Sequence, residues 1–422
     1  SEDPNDRGSF SVLAPNLDTS GYLSGVRNGL EDESTRVNLN VLVLLDQMTP
    51  GAGRQLLMAL PEMTEDVADA ILDWLDADDE PREYGCEIEY YSKLTPAYAP
   101  KNGPIETVEE LLLVRGVTPL LLFGSDINRN GQLDAHEASE TEGSGGSTDP
   151  AAFRGWSAYL TLHSLEWNVT PDGQPRIYLN SNDLNKLYED LSAVLPPEWA
   201  AFIVIYRQAG PVTGTTDTGE MATPDMVDFE YQAQYPITQL LDLVSSLERP
   251  VRVQYTPAGS PNPVILESPF SVLTLNTSLP QLMDYVTVNP AATIPGRINI
   301  NQASATVLAG IPGMTPELVE QIVAQRSPET VGPDSPHRHE TWLLSQGLVT
   351  LDQMRTLMPF VTGGGNVYRA QVVGYFQGGQ ASSRAEVIFD ATTPLPRVLL
   401  WRDISHLGRG YAIETLGVEF TE

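Results

Sequence analysis

The sequence predicts an α+β fold: an antiparallel sheet assembled from both ends of the chain and interrupted by a large, mostly helical insertion. Three observations carry that prediction. Apolar and polar residues alternate, as in half-buried strands, near the start and again over residues 367–401. Between these ends the apolar spacing is mostly helical. Within the helical part, one unit recurs, a short strand feeding two helices joined by a tight turn.

Taken in order, residues 9–13 and 34–39 read as strands, and residues 41–80 as helix. Residues 81–106 are rich in Tyr and Pro and read as irregular. Helix returns over 108–123, followed by a polar loop and a Gly/Ser linker at 142–150. A helical middle is expected over 151–255, broken by a Gly/Thr stretch at 210–219, with another amphipathic helix at 237–247. A helix at 351–358 precedes the closing meander, whose strands are 367–376, 383–389 and 396–401, the first two joined by a turn at 377–380. The expected division is a body from 1–40 and 363–422, a helical insertion at 41–150, a middle helical segment at 151–296, and a strand with its helix pair at 297–362.

The recurring unit is clearest at 297–326. Residues 298–301 alternate, and Asn301 is placed to cap the helix carrying Thr306, Val307 and Leu308. Pro312-Gly313 turns the chain, Thr315 caps a second helix, and Pro316 takes its first position. Leu318, Val319, Ile322 and Val323 give that helix one apolar stripe. Residues 36–40 lead to the same arrangement around Glu62, and residues 176–180 to a third around Pro197. A helix pair without its strand turns at Gly116. Such internal repetition predicts stacked helix-hairpin-helix units.

Composition limits what these units do. With 24 Lys and Arg against 56 Asp and Glu, the formal net charge is −32. Affinity for duplex phosphate comes mainly from basic residues that release counterions, so nucleic-acid binding is disfavoured despite the hairpins. No apolar run is long enough to span a bilayer, and the lone Cys86 excludes an intramolecular disulfide. The polar start without Met leads us to expect a trimmed product. No nucleophile elbow, P-loop or dinucleotide fingerprint is present, and the histidines form no zinc pattern. His337 and His339, in a Pro-rich loop, read as polar surface. No catalytic residue is nominated.

The sharpest site signal is at residues 126–137, which follow the twelve-residue calcium loop position by position. Asp126, Asn128 and Asn130 supply oxygens at positions one, three and five. Gly131 makes the sharp turn, and Gln132 offers a main-chain carbonyl. Leu133 faces the core, Asp134 stands where a water-bridging ligand belongs, and Glu137 closes the loop with both oxygens. Residues 138–148 pass quickly into Ser and Gly, so a full exiting helix is not expected, and the ion is read as structural. A second acidic run, Asp73, Asp76, Asp78, Asp79, Glu80 and Glu83, crowds a helix C-terminus, where like charges oppose the dipole. Arg82 is the nearest compensating charge, and a salt-bridged helix end is preferred there to a second cation.

Three runs together resemble a known family. Residues 57–85 (LMALPEMTEDVADAILDWLDADDEPREYG), 102–117 (NGPIETVEELLLVRGV) and 297–314 (RININQASATVLAGIPGM) occur in the order seen in K-type minor pseudopilins of type II secretion systems. The resemblance covers about residues 36–325. It implies a pseudopilin-type body split by a helical domain that binds calcium, and a periplasmic place at the pseudopilus tip of a Gram-negative bacterium. It further implies partnership with the I and J minor pseudopilins and with H, contact with exported proteins, and an inner-membrane anchor through an N-terminal helix absent from these residues. On this reading the protein is not an enzyme. Alternatives from other classes are a helix-hairpin-helix nucleic-acid-binding protein and a secreted calcium-dependent hydrolase. Residues 176–296 are longer than the resemblance implies.

Overall fold

The computed structural model describes residues 8–132, 134, 137, 153–213, 218–257, 259–326, 335–376 and 381–417. Described residues within 1–166, 295–331 and 360–422 form one compact unit, and those within 167–294 and 332–359 form another. The sequence-derived segment 41–150 therefore lies within the first unit, whereas 151–296 and 297–362 are each shared between the two.

The first unit is built on an antiparallel sheet. Its strands are β1 (Gly8–Leu17), β2 (Leu23–Asn28), β3 (Val367–Phe376), β4 (Ser382–Asp390) and β5 (Arg397–Asp403), in the order β5-β4-β3-β1-β2. Both chain ends thus meet in one sheet, with Gly8 opposite Phe376 and Leu13 opposite Gln371. Leu13, Val373 and Tyr375 bury one face against Tyr411 and Leu416. The expected turn at 377–380 lies outside the described residues.

The chain leaves this sheet after Glu31–Asp32, which pairs with β3, and re-enters it only at Val367. Asp32 holds exit and return together. Its carboxylate caps the turn at Ser34 (2.8 Å) and accepts from Asn299 Nδ2 (2.8 Å) and the Gly365 amide (2.7 Å). The strand expected at 34–39 begins instead as a 3-10 turn, Glu33–Thr35, because this cap bends the backbone. The next residue, Glu33, is fully buried and paired with Arg369, which also holds Glu386 at 2.7 Å. A buried carboxylate without such a partner would cost several kcal/mol, on the order of 3–5.

Inside the insertion three helices follow: α1 (Leu42–Met48), α2 (Ala52–Met58) and α3 (Glu65–Leu75). Glu65 and Asp66 suit the positive end of α3, and every residue from Val67 to Leu75 is buried. The helix expected at 108–123 is shorter than its pattern implies. It is a 3-10 turn, Val108–Leu113, and one helical turn and a half, Pro119–Phe123, separated by the left-handed Gly116.

The recurring strands are real but minimal. Val37–Asn38, Ile177–Tyr178 and Ile298–Asn299 each make a two-residue parallel pair, with Leu160–Thr161, Val286–Thr287 and Val361–Thr362 respectively. Each is followed by an Asn with an unforeseen role. The Asn40 side chain donates to the Ile105 carbonyl (3.0 Å) and accepts from its amide (2.9 Å). Asn180 does the same with Ile237, at 2.8 Å in both directions. Asn301 donates to the Gly363 carbonyl at 2.8 Å. Asn301 therefore does not cap the following helix α7 (Ala305–Ala309), contrary to expectation. Ser304 does so, accepting from the Val307 amide. A carboxamide carries one donor and one acceptor face, so it can extend a two-residue ladder by one rung. Thr315 caps α8 (Pro316–Gln325) as expected.

In the second unit, α4 (Leu184–Ser192) packs on α5 (Pro197–Ala209), whose residues 200–205 are fully buried. Residues 237–247 are not an amphipathic helix. Only Leu240–Leu243 turns, as 3-10: Asn180 holds Ile237 extended, Asp242 caps the start by accepting the Gln239 amide (3.1 Å), and Val244 is extended again. The middle segment is less helical than its composition implies, containing the antiparallel pair Arg252–Tyr255 and Val264–Glu267 before α6 (Leu275–Tyr285). α9 (Leu351–Leu357) falls where expected. Residues 214–217 of the Gly/Thr stretch lie outside the description.

Candidate metal centre

Asp126, Asn128, Asn130, Asp134 and Glu137 form a ring of side-chain oxygens held largely by main-chain amides. Asp126 Oδ1 accepts from the Asn130 amide (3.0 Å) and Oδ2 from the Gly131 amide (2.7 Å). Asn128 Oδ1 accepts from the Asn130 amide (2.9 Å), and Asn130 Oδ1 from the Gln132 amide (2.6 Å). Glu137, fully buried, accepts from the Asn128 amide on Oε1 (3.3 Å) and from the Asp134 amide on Oε2 (3.1 Å). Asp134 Oδ2 accepts from the carboxamides of Asn128 (2.6 Å) and Asn130 (3.1 Å). Five of the six expected ligand side chains are thus bonded into one ring, and Gln132 joins it through its main chain. Leu133 and residues 138–148 lie outside the described residues.

Gly131 has the left-handed φ that the turn demands, 69°. A Cβ there would also sit 3.0 Å from the Arg154 guanidinium. Burial raises the Asp126 carboxyl to about 6, with the Glu137 charge adding to it and the Gly131 and Asn130 amides opposing. The donors are oxygen only, carboxylates interleaved with carboxamides, a set that suits a hard cation. Among the described residues, no three His, Cys, Asp or Glu side chains gather closely enough to hold a metal by themselves.

What sequence reading missed is the clamp on this ring. Arg384, fully buried on β4, donates to the carbonyls of Asn128 (2.7 Å) and Arg129 and to Gln371 Oε1. Gln371 on β3 donates to the Arg129 carbonyl at 2.8 Å. Arg154 donates to the Gly131 and Gly25 carbonyls, and Asn130 Nδ2 reaches the Gly410 carbonyl at 2.6 Å. The ring is therefore fastened to the sheet through its carbonyl side. One signal was available: Arg384 shares strand parity with Ile388, a core position, where a charge needs a buried partner.

The second acidic run is organised differently. Asp69 and Asp73, one turn apart on α3, are both fully buried. Arg54 holds Asp69 through two bonds of 2.7 and 2.6 Å. Arg82 donates to Asp73 at 2.8 Å and to Asp76, so the compensating charge is the one expected. The helical turns nearby differ among copies. Glu62 adopts φ 58° where Gly116 and Gly313 adopt 83° and 88°.

This part of the insertion is also where known proteins match. Residues 35–122 match the family model "Type II secretion system (T2SS), protein K". Over these residues the chain is similar to type II secretion system protein K. The Type II secretion system protein K of Pseudomonas aeruginosa PAO1 is 35% identical over 134 residues, covering 29% of this chain and 39% of that protein. A solved structure of the GspK-GspI-GspJ complex of the enterotoxigenic Escherichia coli type 2 secretion system is a more distant neighbour. It is 12% identical with a TM-score of 0.38, over 93% of this chain and 82% of that one. The matched residues hold α1 to α3, the Asp73–Arg82 pair and the Gly116 turn. They end just before the oxygen ring.

Proposed function

We propose that this chain is a non-enzymatic minor pseudopilin, placed at the periplasmic tip of the type II secretion pseudopilus in complex with the I and J minor pseudopilins. The observation that carries this reading is a protein K domain set within an antiparallel sheet formed by both chain ends. Residues 33–366 leave the sheet at Asp32 and return at β3, so the sheet can serve as the filament-facing body while the insertion projects from it. A subunit with an insertion of that bulk does not fit within a regular filament and is suited to its end, where it would initiate assembly. The helix-hairpin-helix units act here as packing modules, and the net charge of −32 opposes any phosphate-binding role.

Calcium belongs to the same proposal. Asp126, Asn128, Asn130, Asp134 and Glu137, with the Gln132 main chain, would hold one structural ion and lock the insertion to β3 and β4 through Arg384 and Gln371. Size-exclusion chromatography of this chain with soluble I and J proteins, in calcium and then in chelator, tests the reading. Co-elution of the three supports tip assembly, and loss of the complex on chelation ties the ring to it. Three separate peaks in both buffers would overturn the assembly reading.

A further inference from the structure

In the second unit, a loop packed on the end of α5 presents three aromatic rings to solvent. Val227 anchors it in the core, while Phe229, Tyr231 and Tyr235 are 38%, 44% and 43% exposed. Folding ordinarily takes aromatic area out of water, and exposed rings gathered on one short segment mark protein contact surfaces. The loop is firmly held. The Asp228 amide donates to the Tyr255 hydroxyl (2.8 Å), and Gln208 Nε2 donates to the carbonyls of Asp228 (2.8 Å) and Tyr231 (3.3 Å). The Gln234 and Tyr235 amides reach the Arg207 carbonyl at 2.8 and 3.0 Å. Phe229 packs edge-on against Tyr188 of α4, Tyr231 packs against Tyr255, and Tyr235 lies on Gly210, where a Cβ would collide with it. Each ring is braced on one side and open on the other.

The charge around the rings has one sign. Residues 218–236 hold Glu220, Asp225, Asp228 and Glu230 and no Lys or Arg. Asp225 and Glu230 are exposed, and Asp228, half-buried, accepts the Glu230 amide at 3.0 Å. Among the described residues Asp225, Asp228 and Glu230 have no ion-pair partner, and Lys186 of α4 is spent on Asp190 (2.8 Å). Arg207 lies buried beneath the loop, its guanidinium directed to the carbonyls of Leu179, Ser181 and Tyr235. A ring face and a carboxylate attract the same group, a cation that carries N–H donors. A guanidinium serves both, stacking on the ring while its edge donates to the acid. The net charge of −32 adds long-range attraction for a basic partner and opposes a second copy of this chain or an anionic lipid surface.

We propose that residues 225–235 are a docking surface for an extended, arginine-bearing segment of another protein, whose guanidinium groups lie over Phe229 and Tyr231 and pair with Asp225, Asp228 and Glu230. Because Gln208, Arg207 and Tyr255 hold the loop before any partner arrives, little ordering entropy is lost on binding. The segment at 176–296, longer than the family resemblance implies, thereby gains a role of its own. This inference does not rest on a role in secretion or on an ion at the oxygen ring.

The test is fluorescence anisotropy of a labelled peptide of alternating Arg and Gly, titrated with the full chain at about 150 mM salt, where long-range attraction is largely screened. Phe229→Leu with Tyr231→Leu keeps the net charge and much of the apolar bulk, and should weaken binding about fivefold or more. Asp228→Asn with Glu230→Gln should weaken it about as much. Glu317→Gln with Glu320→Gln removes the same two charges from exposed positions in the first unit, and should change affinity less than about twofold. A peptide of alternating Lys and Gly should bind more weakly than its arginine counterpart. Equal losses from the two pairs of charge substitutions would reduce the effect to the general field of the chain and overturn the proposal. So would undiminished binding by the leucine variant, equal affinity for the two peptides, or no anisotropy change with the parent chain.

Discussion

The two acidic loops of the first unit look alike in sequence and are built on opposite principles. At residues 126–137 the carboxylates of Asp126 and Glu137 accept main-chain amides, and two arginines grip the loop from its carbonyl side. The ring's carboxylate oxygens are oriented by amides and carboxamides, which carry no charge to balance theirs. At residues 73–87 an arginine lies inside the cluster, and Asp76 Oδ1 and both Glu87 oxygens have no hydrogen-bond donor. The difference teaches that acid count says little about a site. What decides is whether folding brings each oxygen a proton donor or leaves it without one.

Removing the internal arginine should have the largest effect. Arg82→Met strands Asp73 in a fully buried position, and we expect about 3–5 kcal/mol of destabilisation by urea denaturation. Asp73→Asn in the Arg82→Met background should restore part of it, a recovery that a purely steric role for Arg82 would not give. Arg384→Met should cost somewhat less, about 2–3 kcal/mol, since it orphans carbonyls and not a charge. An equal or greater loss at Arg384 would break the contrast.

A chelator then tests the first ring for an ion. The melting temperature of the parent should fall on chelation. The fall should shrink in Glu137→Ala if the first ring holds calcium, and a response unchanged by that substitution would assign the effect elsewhere. The smallest expected effect concerns the turn that leads into α3. Glu62→Gly removes a side chain from left-handed backbone and should stabilise the chain by about 0.5–1 kcal/mol, whereas Gly313→Ala should destabilise it. Thermal melts of the two variants measure the sign directly.

Much of this was legible in the chain. The meander of β3 to β5 follows from period-two alternation, and Thr315 with Pro316 marks the start of α8 without ambiguity. The oxygen ring was visible as a spacing, because its side chains are close in sequence, although of its left-handed positions Gly131 was marked and Arg129 was not. Failures had a common source. Asn301 reads as a helix cap, yet its carboxamide reaches Gly363, and Asn180 likewise holds Ile237 extended where periodicity alone promises a helix. No window of sequence contains both partners of such a bond.

The sequence by itself determined the elements whose causes lie within a few residues: strand alternation, caps, left-handed turns, and the order of oxygens around a loop. Tertiary structure alone decided which charges meet. Arg384 and Arg154 reach the ring from distant segments, Asp32 joins the exit and the return of the insertion, and Glu87 is buried without a hydrogen-bond donor. The physical reason is that local steric and hydrogen-bond preferences are encoded where they act, while the energy of a buried charge depends on what the rest of the chain brings to it.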